Sequence, residues 1–322
     1  MTTQANLKIA SIGESLLELV NTHNQEFQMN FSGDAANIAV YLARYADDLN
    51  AKIDLVTAVG NDDYSLDMLN YWQSEHVGTQ FIPQLRDHQT GLYLLNPNTS
   101  PIKSSYYRQN TAVAEFFQVP DHMDCVNAII EYDYIFFSGQ FVSLLNQLDR
   151  EALLHLLHDA HNKNAKIIFD PNYREVDWAN KRQAQEFLQR LLVHTDIVIT
   201  GYDEEAALFN DSSPIATAQR IHEWGVEEVV VKCGGKQCVV STENKEDRIP
   251  LTNVENIVNT AGAGEAFNAG YIAARINQIK PHAAVLYGHK LASQALLQHG
   301  AMIERDNMPA LFKSTTPKTT EF

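Results

Sequence analysis

Asn259-Thr260-Ala261-Gly262-Ala263-Gly264-Glu265-Ala266-Phe267 joins a glycine-rich turn, a carboxylate and the start of a helical pattern within nine residues. Apolar residues at 254–258 predict a short strand before it, and the small and apolar residues of 266–276 predict a packed helix after it. The turn then sits at a helix N-terminus. There the unpaired N–H groups of Gly262, Ala263 and Gly264 and the helix macrodipole favour an anion such as phosphate, with Glu265 beside it. A glycine turn of this kind also serves as a plain tight turn in α/β proteins. It is not a Walker A loop, because Gly234-Gly235-Lys236 is followed by Gln237. Nor is it a dinucleotide fingerprint, which opens a first strand–turn–helix unit, whereas this turn lies near the C-terminal end.

Working outward, short apolar runs at 8–12, 54–59, 134–137, 166–169, 197–200, 228–232 and 238–241 read as buried strands. Helical patterns at 34–45, 62–75, 149–162, 181–194, 203–209 and 214–224 alternate with most of them. This predicts βαβ units, a largely parallel sheet and helices on both of its faces. Segments 15–32 and 83–111 break the alternation and carry residues of strand period, among them Tyr93, Leu95 and Tyr106. They are expected to pair as a small β-sheet projecting as a lid that excludes water from a site, or else to form two long surface loops. The tail 313–322 is expected to fray.

At 322 residues the chain can bury a large core without a structural metal or disulfide. Forty acidic against 24 basic residues give a formal charge of −16, which repels nucleic acid and anionic lipid. A polyphosphate ligand therefore needs local help from Mg²⁺, a few Lys and Arg side chains and backbone N–H groups. Cys125, Cys233 and Cys238 are odd in number and lack metal-ligand spacing, which points to a reducing compartment. No secretory h-region and no run of membrane length is present, so a cytoplasmic protein is expected. His155, His158 and His161 recur on one helix, beside Asp159 and Lys163, and read as a solvated face.

The order of these parts resembles the PfkB/ribokinase-like carbohydrate kinase family over nearly the whole chain. Gly13-Glu14-Ser15-Leu16-Leu17-Glu18-Leu19 is similar to its opening strand, and Phe31-Ser32-Gly33-Asp34-Ala35-Ala36-Asn37 to its early sugar-binding turn. Gly91-Leu92-Tyr93, Tyr106-Tyr107-Arg108 and Phe169-Asp170-Pro171-Asn172-Tyr173-Arg174 resemble the branch that acts on keto sugar acids. Val231-Lys232-Cys233-Gly234-Gly235-Lys236 resembles the nucleotide-side turn, and Gly288-His289-Lys290-Leu291-Ala292-Ser293 the helix closing the adenine pocket.

The resemblance implies a ribokinase-like three-layer αβα sandwich, a single domain over 1–322 with lid segments 15–32 and 83–111. It implies ATP and Mg²⁺ as cofactors and transfer of phosphate to the terminal C6 hydroxyl of 2-keto-3-deoxygluconate. Glu265 is then the base, with Gly262, Ala263 and Gly264 as anion hole. Gly33, Asp34, Asn37, Tyr93, Tyr107, Arg108 and Arg174 are expected at the sugar acid. Lys232, Gly234, Gly235, Lys236, Gly262, Gly264 and His289 are expected at the nucleotide, and Glu205 near the Mg²⁺ shell. The residue types agree with these roles: Asp34 and Asn37 can hold hydroxyls, and arginine can hold a carboxylate bidentately, although Arg–Tyr neighbours are also common surface pairs. An apolar lid face suggests a homodimer.

Two departures bear on activity. The family base is Asp, and here Glu265 is one methylene longer, a displacement of about 1 Å, which can cost on the order of a hundredfold. Asn259 replaces the Asp that opens the motif, keeping a short polar cap without the charge. At Tyr202-Asp203-Glu204-Glu205 only Glu205 matches the Asn-x-x-Glu of many relatives. The alternatives are a kinase of a related sugar such as fructose, or an impaired sugar- or nucleotide-binding protein acting as a sensor.

Overall fold

A computed structural model describes residues 6–22, 26–99, 103–120, 122–242 and 245–312. The central sheet has nine strands in the order Lys245–Pro250, Gln237–Thr242, Glu228–Cys233, Ile197–Gly201, Lys166–Asp170, Tyr134–Ser138, Leu7–Ile12, Ala51–Val56 and Gly78–Phe81. From Glu228–Cys233 onward all neighbours run parallel, and the first two strands join by antiparallel hairpins. Successive side chains enter opposite cores. On Tyr134–Ser138, Ile135 and Phe137 join one core and Phe136 the other, which is why these runs read as continuously apolar.

Helices Asp34–Arg44, Asp63–Ser74, Ala263–Ile276 and Pro281–Ala295 cover one face. Gln147–Asn162, Lys181–Leu192, Tyr202–Phe209 and Pro214–Glu223 cover the other, completing three αβα layers. Asp62, Asn146, Asn180 and Ser213 each cap a helix by accepting the N–H three residues ahead. The Asn146 cap starts its helix at Gln147, two residues before the expected boundary.

The two segments that break the alternation form a separate four-stranded sheet in the order Phe27–Ser32, Leu16–Asn21, Gly91–Asn96 and Lys103–Tyr107. Strand alternation sorts its faces. Leu16, Glu18, Val20, Tyr93 and Leu95 are buried on the inner face, while Leu17, Leu19, Leu92 and Leu94 form an outer, half-buried stripe. Met29 pairs with Leu19 and Tyr107 with Leu92, extending that stripe.

One expectation fails in the main body. Residues 254–258 are not a strand: Val258 and Asn259 donate their N–H groups to the carbonyl of Leu296 at 2.9 and 3.3 Å, and the sheet already ends at Lys245–Pro250. The following helix begins at Ala263, three residues earlier than its apolar pattern suggested. The tail 313–322 lies outside the described residues. Among the described residues no helix is long and apolar enough to cross a membrane, and no group of three His, Cys, Asp or Glu side chains could hold a metal.

Phe137 is fully buried and stacks on Phe169 at a ring separation of 4.5 Å. Phe137→Ala should lower unfolding stability by about 3–5 kcal/mol in a denaturant titration. A loss below about 1 kcal/mol would contradict a tightly packed core beneath this strand.

Candidate active site

Gly262 caps the helix Ala263–Ile276 with φ of 75°, in the left-handed region. A Cβ here would stand inside the carbonyl of Ala301, so both the dihedral and the close approach require glycine. Asn259 is fully buried beside it; its Nδ2 donates to the carbonyl of His299 at 3.1 Å, and its Oδ1 accepts the N–H of Ala261 at 3.0 Å. An aspartate could make only the second bond and would leave the His299 carbonyl unpaired. Asn259 therefore suits this turn without bearing a charge.

Two cavities meet at this turn. One, about 330 Å³, lies beneath the inner face of the small sheet and is lined by Tyr93 and Tyr106 above and by Gly33, Asp34, Asn37 and Arg174 below. The other, about 540 Å³, runs from Gly234, Gly235 and Lys236 past Ala263 to Phe267 and His289. Glu204, Lys232, Thr260 and Gly264 line both. At this neck the Lys232 ammonium donates to Asp170 at 3.2 Å and Asn268 at 3.0 Å, and lies 3.9 Å from where a Cβ on Gly264 would stand. A fixed cation thus adjoins the N-terminal turn of this helix, where the Ala263 N–H donates to the Thr260 carbonyl at 3.5 Å, and cation and helix N-terminus together suit a phosphoryl group.

Glu265 lines the first cavity from the first turn of the helix. Burial pushes its carboxyl above the usual range; Asp34 and Asp170 add to this, while Lys232 opposes it. Burial, with Asp170 next, brings Glu204 up to about 7, again against Lys232. Asp34 is also raised by burial, though it accepts the Ser138 hydroxyl and the N–H groups of Ala35 at 2.7 Å and Glu14 at 3.1 Å. Among the described residues Asn37 Oδ1 has no partner, and it is buried in the wall of this cavity, where it could accept a hydroxyl. A side chain at Gly33 would run into the backbone of Glu14. Burial lowers the His289 pKa, so its ring is neutral at pH 7 beside the apolar wall of Phe267 and Leu296.

Three expected residues are not at the cavities. Tyr107 points to the outer face of the small sheet, 58% exposed, because strand parity gives the inner position to Tyr106, the cross-strand partner of Tyr93. Arg108 lies behind Tyr106, its guanidinium 4.1 Å from that ring, held by Gln140 at 2.7 Å, Glu14 at 2.9 Å and Asp177 at 3.3 Å. Arg174, 4.6 Å from the same ring, does line the cavity. Glu205 is buried in bonds with Thr200 at 2.8 Å and Arg220 at 2.6 Å, and its neighbour Glu204 faces the neck instead. Sequence reasoning also missed Asn172 and Asn268. Asn172 lines the first cavity just after the strand Lys166–Asp170, and Asn268, buried three residues beyond Glu265 on the same helix, accepts from the Lys232 ammonium.

A carboxylate serves as a base only when ionised, so an activity that uses Glu265 in this way should show an acid limb of kcat/KM at a pH above 4.5, the ordinary value for this group. Glu265→Gln should abolish that limb in the residual rate. A limb at or below 4.5 that persists in Glu265→Gln would exclude the residue as the titrating base.

The profile of the pfkB family carbohydrate kinases matches residues 6–308. The 2-dehydro-3-deoxygluconokinase of Escherichia coli K12 is 35% identical over 94% of this chain and 99% of its own length. Among solved structures, the 2-dehydro-3-deoxygluconokinase of Thermotoga maritima superposes with a TM-score of 0.79 at 18% identity, covering 92% of this chain and 96% of that one. A putative ribokinase II from E. coli in complex with ATP and Mg²⁺ gives 0.78 at 23% identity, covering 92% and 94%.

Proposed function

The chain belongs to the pfkB family of carbohydrate kinases, and we propose that it phosphorylates the C6 hydroxyl of 2-keto-3-deoxygluconate with ATP, giving the 6-phosphate and ADP. The observation that carries this reading is the neck at which a sugar-sized and a nucleotide-sized cavity share Lys232, Thr260, Gly264 and Glu204. Identity of 35% to an enzyme named for this substrate favours the sugar acid over fructose. Arg174 supplies a cation for the carboxylate, and Asp34 and Asn37 hold hydroxyls.

Glu265 takes the proton from the attacking hydroxyl as the new O–P bond forms and the bond to the departing ADP oxygen breaks. Lys232 and the N–H groups of Gly262, Ala263 and Gly264 stabilise the charge that develops on the phosphoryl oxygens. Gly234, Gly235 and Lys236 border the nucleotide cavity, with His289 on its far wall. Mg²⁺, when bound, neutralises phosphate charge, and Glu204 is the carboxylate that faces the place where it would act. The protein works in the cytoplasm as one kinase domain with the small sheet as its lid.

ADP release should exceed the no-sugar blank on 2-keto-3-deoxygluconate and be faster than on fructose, ribose or adenosine. No turnover on any of these would sink the kinase reading. Glu265→Asp should lower kcat on the order of a hundredfold with sugar affinity retained, because the loop geometry is adapted to the longer side chain. A large gain would instead mark the native site as a damaged one used for binding.

The outer stripe of the lid, with Leu19, Leu94 and the exposed Met29 and Tyr107, supports a homodimer through that face. Leu19→Lys should convert a dimer to a monomer in light scattering. A wild-type monomer at micromolar concentration would contradict this.

A further inference from the structure

Glu18 lies in the middle of the lid strand Leu16–Asn21, with 1% of its surface exposed, and it lines neither of the two cavities. Burying a carboxylate costs several kcal/mol unless donors meet it, and two do. Its oxygens accept the backbone N–H of Ala301, each at 3.2 Å, and one of them also accepts Asn30 Nδ2 at 3.1 Å. Ala301 is 283 residues away in sequence and belongs to the loop between the helix Pro281–Ala295 and the end of the described chain.

That loop is the seat of the anion hole. The Ala301 carbonyl fills the place a Cβ on Gly262 would take, and the His299 carbonyl accepts the side chain of Asn259. Gly300 between them is tightly enclosed, since a Cβ there would lie 3.0 Å from Asn30 Nδ2 and 3.1 Å from Glu18 Oε2, and those side chains would have to give by a few tenths of an ångström. One carboxylate therefore joins the lid strand, through two peptide units, to the N–H groups that receive phosphate.

We propose that Glu18 is a positioning residue that latches the lid strand to the 299–301 loop, so that the lid and the anion hole hold a common geometry in the transfer step. The inference rests on the kinase reading. The latch acts on the transition state and not on ligand uptake, because Glu18 touches neither the sugar cavity nor the nucleotide cavity. Truncating it strands the Ala301 N–H and lets the loop slide from Gly262. A glutamine keeps an acceptor for that N–H and so keeps the latch.

Glu18→Ala should lower kcat by about tenfold or more, while calorimetric affinities for the sugar acid and for ADP stay within about twofold. Glu18→Gln should recover kcat to within about threefold of the wild type. Hydrogen exchange in the segment 299–302 should be faster in Glu18→Ala than in the wild type. That measurement needs no turnover, so failure of the latch can be told apart from failure of the kinase reading. Unchanged kcat in Glu18→Ala would overturn the proposal, as would equal losses in the Ala and Gln variants accompanied by a fall in Tm. Should Glu18→Ala not fold, Asn30→Ala on the half-exposed edge strand decides. A lower kcat with unchanged affinities supports the latch, and a wild-type kcat refutes it.

Discussion

At Gly262 the chain adopts a φ of 75° with the carbonyl of Ala301 occupying the space of a side chain, and the helix Ala263–Ile276 starts from that contact. The direction of the helix, the outward set of its first N–H groups and the position of Glu265 all follow from it. The two cavities are ordinary products of a twisted parallel sheet with a small sheet over one end. They adjoin at this turn, where Thr260 and Gly264 line both walls together with Lys232 from the strand Glu228–Cys233 and Glu204 from the helix Tyr202–Phe209.

Electrostatics supply the second constraint. A chain with a net charge of −16 is a poor host for a triphosphate, and the carboxylates around the neck would repel one if all were ionised. Burial brings Glu204 up to about 7, which lessens its share of that repulsion near neutral pH, and it raises Glu265 and Asp34 from their ordinary values as well. Lys232 answers the rest from a fixed place, held by Asp170 and by Asn268, which itself donates to Asp170 at 2.5 Å. The same crowding that makes Glu265 a stronger base at neutral pH makes its ionisation sensitive to acid.

Much of this was legible in the chain. Apolar runs without polar partners marked strands covered on both faces, and strand-period residues in 15–32 and 83–111 marked the small sheet. The glycine turn identified the helix start, though not the irregular path of 254–258, because apolar composition cannot tell a strand from a segment bonded to the end of another helix. Tyr106 and Tyr107 differ only in parity, which is set by the register with Tyr93. Arg108 looked like a free cation because the groups that neutralise it, Glu14 and Asp177, are far away in sequence. Glu205 matched a family position, yet it is buried in bonds with Arg220, and the carboxylate that lines the neck is its neighbour Glu204.

Lys232 is the cation at the junction on which this account turns, and its removal is the most direct test. In Lys232→Met the affinity for the sugar acid should stay close to the wild-type value while kcat falls roughly a hundredfold to a thousandfold, the scale of losing one transition-state donor. A kcat near the wild-type value in a folded Lys232→Met protein would contradict the claim that transfer takes place at the neck shared by the two cavities.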